Sequence, residues 1–280
     1  MFSKIIPHLR HVMLLGTFAV VLGGCVTPLT GQFGDRSEES PKLAANLSVA
    51  NSAQEAGDYR TAVRIYKNLL DANSNNMDVA EKLGTALFEI GAYHDAISTF
   101  KLVLASDHDN VSAIMGIGRS LLALHSPDQS LVYLGRARNL APQSVTVLAA
   151  MGVANDGIGE SSKAQMLYRK ALEIDPDGTG VKSNLGLSLA LSGDYDEAIE
   201  VLTDIAFTAD STARMRQNLS FAYGMKGDFT AAALIARTDL PEMEVQENIK
   251  YFKLIRKSGA TGPKLGMLFD NENSIPADTH

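Results

Sequence analysis

Cysteine occurs once in this chain, at position 25, so no intramolecular disulfide can staple the fold. Basic clusters are missing as well. The 25 Lys and Arg face 32 Asp and Glu, giving a net charge of −7, and the cations come at most as isolated pairs. Binding to nucleic acid needs clustered cations against phosphate, so that class is excluded. Catalytic signatures are also lacking. No Gly-rich run leads into Lys-Ser/Thr, and no Gly-x-Ser-x-Gly sits in a strand-turn-helix setting. Of the six His, 8 and 11 fall in the first 24 residues, and the other four (94, 108, 125 and 280) have no second His at metal-ligand spacing. The chain offers no catalytic residue, metal ligand or small-molecule cofactor site.

What the chain does have is a period. Gly57, Gly91, Gly159, Gly193 and Gly227 fall on one 34-residue grid, and its missing member is His125. Six units of 34 residues run from Leu43 to Gln246 without insertion or deletion. Each unit has an apolar stripe, a small turn and a second stripe. The turns include Gly57-Asp58-Tyr59, Gly91-Ala92-Tyr93, Gly193-Asp194-Tyr195 and Gly227-Asp228-Phe229. Glycine there can close a helix in the left-handed conformation. The acid after it can cap the next helix. A small residue follows (Ala62, Ala96, Ser130, Ala164, Ala198, Ala232), and four positions on comes a large one (Tyr66, Phe100, Leu134, Tyr168, Leu202), replaced by Ala236 in unit six. In the first stripes the pairs Leu83-Gly84, Ile117-Gly118, Met151-Gly152 and Leu185-Gly186 recur.

This set resembles the tetratricopeptide repeat (TPR). Unit four carries most of the signature: Leu148, Met151, Gly152, Ala164, Tyr168, Ala171 and Pro176. Unit one lacks the Leu-Gly pair, unit three has His125-Ser126-Pro127 at its turn, and unit six lacks the aromatic. The resemblance implies an all-α superhelical solenoid of about six helix-turn-helix repeats. Terminal repeats depart from the pattern because one of their faces meets solvent. Pro241, followed by Val245, Ile249, Phe252, Leu254 and Ile255, predicts a capping helix over 242–256. Residues 257–280 carry no apolar period and read as a disordered tail.

The first residues suggest a compartment. Lys4 and Arg10 precede an apolar run from Val12 to Leu22, which is shorter than the roughly 20 residues needed to span a bilayer. Such a run fits the core of a secretory signal over 1–24. Leu22-Gly23-Gly24-Cys25 resembles the bacterial lipobox. That resemblance implies a covalent lipid on Cys25, with Val26 after it favouring the outer membrane. Removal of 1–24 would take the charge from −7 to −9. Residues 25–42 read as a flexible, lipid-anchored tether with a reach of roughly 20–25 Å.

For the groove, the TPR resemblance places positions 2, 5, 6, 9, 12 and 13 of each unit on the concave wall. Position 9 reads Asn51, Thr85, Arg119, Val153, Leu187 and Phe221, and positions 12 and 13 of the last units add Leu191 and Met225. The wall is therefore polar at the N-terminal end (Glu55, Glu81, Glu89) and apolar towards the C-terminal end. An apolar strip of this kind captures a helix or an extended peptide. Val153 and Leu187 equally suit packing against neighbouring helices. Asn184 and Asn218 at position 6 could hold a peptide backbone or tie adjacent hairpins together.

The C-terminal string is the most specific. Gln217-Asn218-Leu219, Asp239-Leu240-Pro241 and Asn248-Ile249-Lys250-Tyr251-Phe252 through Arg256, after a lipobox and repeats, resemble the TadD family of TPR lipoproteins. Those lipoproteins belong to the tight-adherence (Tad/Flp) pilus system. The resemblance implies a non-enzymatic outer-membrane scaffold that binds another assembly component, such as the secretin, as a pilotin does. An envelope adaptor presenting substrates to a protease or cell-wall enzyme, and a type IV pilus pilotin, are the alternatives.

Overall fold

The computed structural model describes residues 36–259, and every regular element among them is a helix. In chain order these are α1 (Arg36–Glu55), α2 (Tyr59–Ala72), α3 (Met77–Glu89), α4 (Tyr93–Ser106), α5 (Val111–Ala123), α6 (Pro127–Leu140), α7 (Val145–Gly157), α8 (Ser161–Ile174), α9 (Thr179–Ser192), α10 (Tyr195–Ala206), α11 (Ala213–Lys226), α12 (Phe229–Ala236) and α13 (Glu242–Ser258). Helices α3, α5, α7, α9 and α11 each begin on the first residue of a 34-residue unit. The chain is an all-α solenoid of six hairpins with one further helix behind them.

The leader 1–24, Cys25 and the tail from residue 260 onward lie outside the described residues. The tether expected over 25–42 is corrected at its end, because α1 begins at Arg36. Once a packed turn exists, each further residue adds a hydrogen bond, so the docked turns from Leu43 onward support extension upstream. At the other terminus α13 runs two residues past the expected 256, and Gly259 closes it at φ 65°.

The hairpin turns explain the glycine grid. Gly57, Gly91, Gly159, Gly193 and Gly227 all have φ between 78° and 105°. His125 takes the same left-handed role at φ 52°, and it is the only non-glycine residue with positive φ among the described residues. Its amide donates to the Leu122 carbonyl and that of Ser126 to the Leu121 carbonyl, as those of Gly91 and Ala92 do to Phe88 and Leu87. The bend is therefore kept where the glycine is not, at a cost of about 1–2 kcal/mol for a residue with a Cβ. The acid after the glycine caps α2 (Thr61 N–H to Asp58, 3.1 Å) and α12 (Ala231 N–H to Asp228, 2.9 Å). Glu160 and Asp194 make no such bond.

The small and large positions interlock within each hairpin. A Cβ added at Gly152 would lie 2.3 Å from the Tyr168 ring, and one at Gly186 would lie 2.3 Å from Leu202. Gly84 is set against Phe100 and Gly118 against Leu134 in the same way. Unit six inverts the sizes: Ser220 stands where units two to five have Gly, opposite the small Ala236, and both are buried. The Ser220 hydroxyl donates to the Ala232 carbonyl at 2.9 Å, while in unit three the Ser130 hydroxyl donates to the Gly118 carbonyl at 2.8 Å.

The core has three parts. One cluster runs from Ala50 to Leu121 and a larger one from Leu148 to Ile255. Between them Ile114, Ala137 and Val147 form a small third cluster.

Candidate functional site

The inner wall is set by which helices touch. From α3 to α11 each odd-numbered helix packs on the next odd-numbered one, whereas the even-numbered helices pack on odd neighbours and not on one another to any comparable extent. The first helices of the hairpins therefore line the inside of the curve, and the second helices splay outside.

On this wall the predicted groove residues divide into two groups. Arg119, Val153, Asn184, Leu187 and Leu191 reach the surface in whole or part. Val153 is 38% exposed, and Leu187 and Leu191 are half-buried on the larger core cluster. Asn184 is half-buried on α9. Arg119 lies over the Phe88 ring at 4.4 Å from its centroid and 4.0 Å from Glu89, so it bridges α5 and α3 while about half its side chain stays in solvent.

Asn218, Phe221 and Met225 must be reassigned from the groove to the interior. They are 9, 2 and 3% exposed. The Asn218 amide donates to the Ser183 hydroxyl at 3.1 Å, which ties α11 to α9 and realises the hairpin-tying alternative. Phe221 meets Phe252 of α13 edge-on, with centroids 5.9 Å apart. Gly224 leaves room for that ring, since a Cβ there would lie 2.2 Å from it. Arg256 donates to the Met225 carbonyl at the end of α11. A cation among unpaired terminal carbonyls also complements the helix dipole. The capping helix thus covers the end of the strip that periodicity alone leaves open.

The turn before α13 is pinned. Arg216 donates to both oxygens of Asp239, at 2.8 and 2.6 Å, and to the Ser211 hydroxyl at 2.8 Å. Hydrogen bonding from Arg216 holds the Asp239 carboxyl below its ordinary value. The sequence string Asp239-Leu240-Pro241 is therefore the anchor of the cap. Beside it Arg237 and Gln246 hold Glu242 down to about 2.

A polar seam under the wall has no counterpart in the sequence reading. Asp156 accepts from the Tyr168 hydroxyl at 3.0 Å and the Ser188 hydroxyl at 2.7 Å, joining α7, α8 and α9. Burial raises the Asp156 carboxyl despite these donors. The same seam includes Gln165, which donates to Ser192 at 3.1 Å. The only signal for it was a Tyr at the large position of one hairpin with Ser188 and Ser192 one turn apart in the next. No group of three or more His, Cys, Asp or Glu that could hold a metal is present among the described residues.

The tetratricopeptide repeat family description matches residues 53–116 and, separately, 145–177. The uncharacterized protein y4yS of Sinorhizobium fredii is 34% identical over 130 residues, which is 46% of this chain and 69% of that protein. Among solved structures, a thermophilic TPR protein of Thermus thermophilus matches with a TM-score of 0.57 at 19% identity, over 64% of this chain and 98% of that one. A tetratricopeptide repeat protein from Parabacteroides merdae matches with a TM-score of 0.63 at 13% identity, over 75% of this chain and 84% of that one. At these identities the structural matches speak for the fold alone.

Proposed function

We propose that this chain, which belongs to the tetratricopeptide-repeat family, is an outer-membrane lipoprotein scaffold for assembly of a Tad-type pilus. Repeats of this family generally serve protein–protein interaction rather than catalysis. The partner segment would lie against Val153, Leu187, Leu191 and Asn184, between Arg119 and the capped end, and belong to the secretin or another assembly component. The observation that carries this reading is the accessible apolar strip on α7 and α9, bounded by a charged side chain on one side and closed by α13 on the other. An apolar strip with polar edges is what a docked helix or extended peptide covers. The lipobox-like Leu22-Gly23-Gly24-Cys25 supports the anchor, and the Asp239-Leu240-Pro241 and Asn248-to-Arg256 strings support the Tad assignment.

Co-purification of the full chain with the secretin tests the partner. Val153→Asp with Leu187→Asp is expected to abolish capture while the helical circular dichroism stays unchanged. Capture at the original level would remove the strip from the interface. Labelled palmitate is expected on the unaltered chain and absent from Cys25→Ser, and label that persists in the variant would end the anchor reading.

A further inference from the structure

Two outer faces, in repeats one and five, carry opposite charge with the same spacing. On α2, Arg60, Arg64 and Lys67 follow at steps of four and three, and all are exposed. No ion pair to any of them is found among the described residues. Arg64 does sense the nearby Asp58, the cap of its own helix. On α10, Asp204, Glu200 and Glu197, read backward, also follow at steps of four and three and are exposed. This helix contains no Lys, Arg or His. Glu197 is shared with Arg169 at 2.6 Å, while Glu200 and Asp204 have no ion pair among the described residues. Steps of three and four place residues on one stripe of a helix.

The match continues past the charges. Three residues beyond Asp204 stands Phe207, 63% exposed at the end of α10. Three residues before Arg60 is Gly57, the edge of a cleft of about 360 Å³ lined by Gly57, Asp58, Tyr59, Arg60, Glu89 and Ile90. Ile90 is 38% exposed at this cleft. The two helices belong to repeats one and five and do not pack on each other within one chain.

We propose that α10 of one copy lies antiparallel on α2 of a second copy. In that register Asp204 meets Arg60, Glu200 meets Arg64, Glu197 meets Lys67, and Phe207 enters the cleft beside Tyr59 and Ile90. The contact joins different surfaces, so each bound copy still offers one unused face and association can propagate from chain to chain. The ion pairs are exposed, so each contributes modestly and is screened by salt. Phe207 supplies the apolar part, and the charges fix the register.

Light scattering of the full chain over a concentration series tests this. The mean mass is expected to rise with concentration at low ionic strength and to fall towards that of one chain at roughly 1 M salt, where screening acts within about 3 Å. The apolar N-terminal residues could also aggregate, but salt would not weaken that association. Glu200→Lys with Asp204→Lys is expected to leave the chain monomeric, as is Arg60→Glu with Arg64→Glu. Mixing these two doubly substituted chains is expected to restore association, because each then offers the complement of the other. Phe207→Ser is expected to weaken it about tenfold, the order expected for losing one buried apolar anchor. A monomer at low salt, salt-independent association, or failure of the mixture to associate would overturn the proposal.

Discussion

The two halves of the array are held by different means. Repeats one and two bury no Asn, Gln or Ser residue completely among the described residues, and their polar contribution to the core from Ala50 to Val103 comes down to the Tyr66 hydroxyl, which donates to Asn51 at 2.8 Å, and the buried Gln54 Oε1. Repeats four to six bury Asn155, Gln165, Ser183, Ser188, Asn218 and Ser220. Several of these cross from one repeat to the next, through Gln165–Ser192, Asp156–Ser188 and Asn218–Ser183. Apolar contacts are non-directional and depend on fit alone, whereas a buried polar group left unpaired costs about 1–3 kcal/mol and so adds a further penalty on any wrong stacking. The C-terminal half is therefore the more tightly specified, and it ends in a dedicated cap. Repeat three joins the halves with the smallest cluster and the one strained turn.

The sharpest way to break this comparison is at the cap. Phe252→Ala empties a ring that is 5% exposed between Phe221 and Gly224. A loss of about 3–5 kcal/mol is expected. Amide hydrogen exchange should rise in α11 to α13 and stay unchanged in α1 to α4. Equal acceleration throughout would show that the array unfolds as one unit and that the halves do not differ.

A smaller effect is expected from Arg216→Ala, and it should depend on pH. The Asp239 carboxyl titrates below its ordinary 3.8 in the folded chain. Its stabilisation is therefore present above that value and is lost as pH falls through the depressed one. The melting-temperature gap between the unaltered chain and the variant should be full at pH 6 and close as pH drops below 3.8. A gap that is constant with pH would mean that the ion pair is not what holds the turn.

The smallest effect belongs to the joint. His125→Gly relieves a left-handed residue but adds freedom to the unfolded chain, and the two nearly offset. A net gain of about 0.5 kcal/mol in chemical denaturation is expected. A loss would show that the imidazole contributes more to repeat three than its backbone strain costs.

Much of this was legible in the sequence. The hairpin boundaries follow from the 34-residue grid, and Pro241 marks the start of α13 to the residue. Other signals were present but outweighed. Asn76, Asn110, Ser144 and Thr212 cap α3, α5, α7 and α11 at the last position of their units, away from the periodic glycine turns. The groove was legible only in part. Position 9 is solvent-facing at Val153, half-buried at Leu187 and closed at Phe221, although all three occupy one place in the repeat.

Periodicity is a local property, since each unit sees only its neighbours. The sequence alone therefore determined the all-helical character, the six hairpins, their turns and the helix that follows them. Which wall residues remain open was decided in three dimensions. There α13 folds back over α11, Arg216 reaches 23 residues ahead to Asp239, and the missing side chain of Gly224 admits the ring of Phe252. Those contacts join residues far apart in the chain, and no repeat of 34 records them.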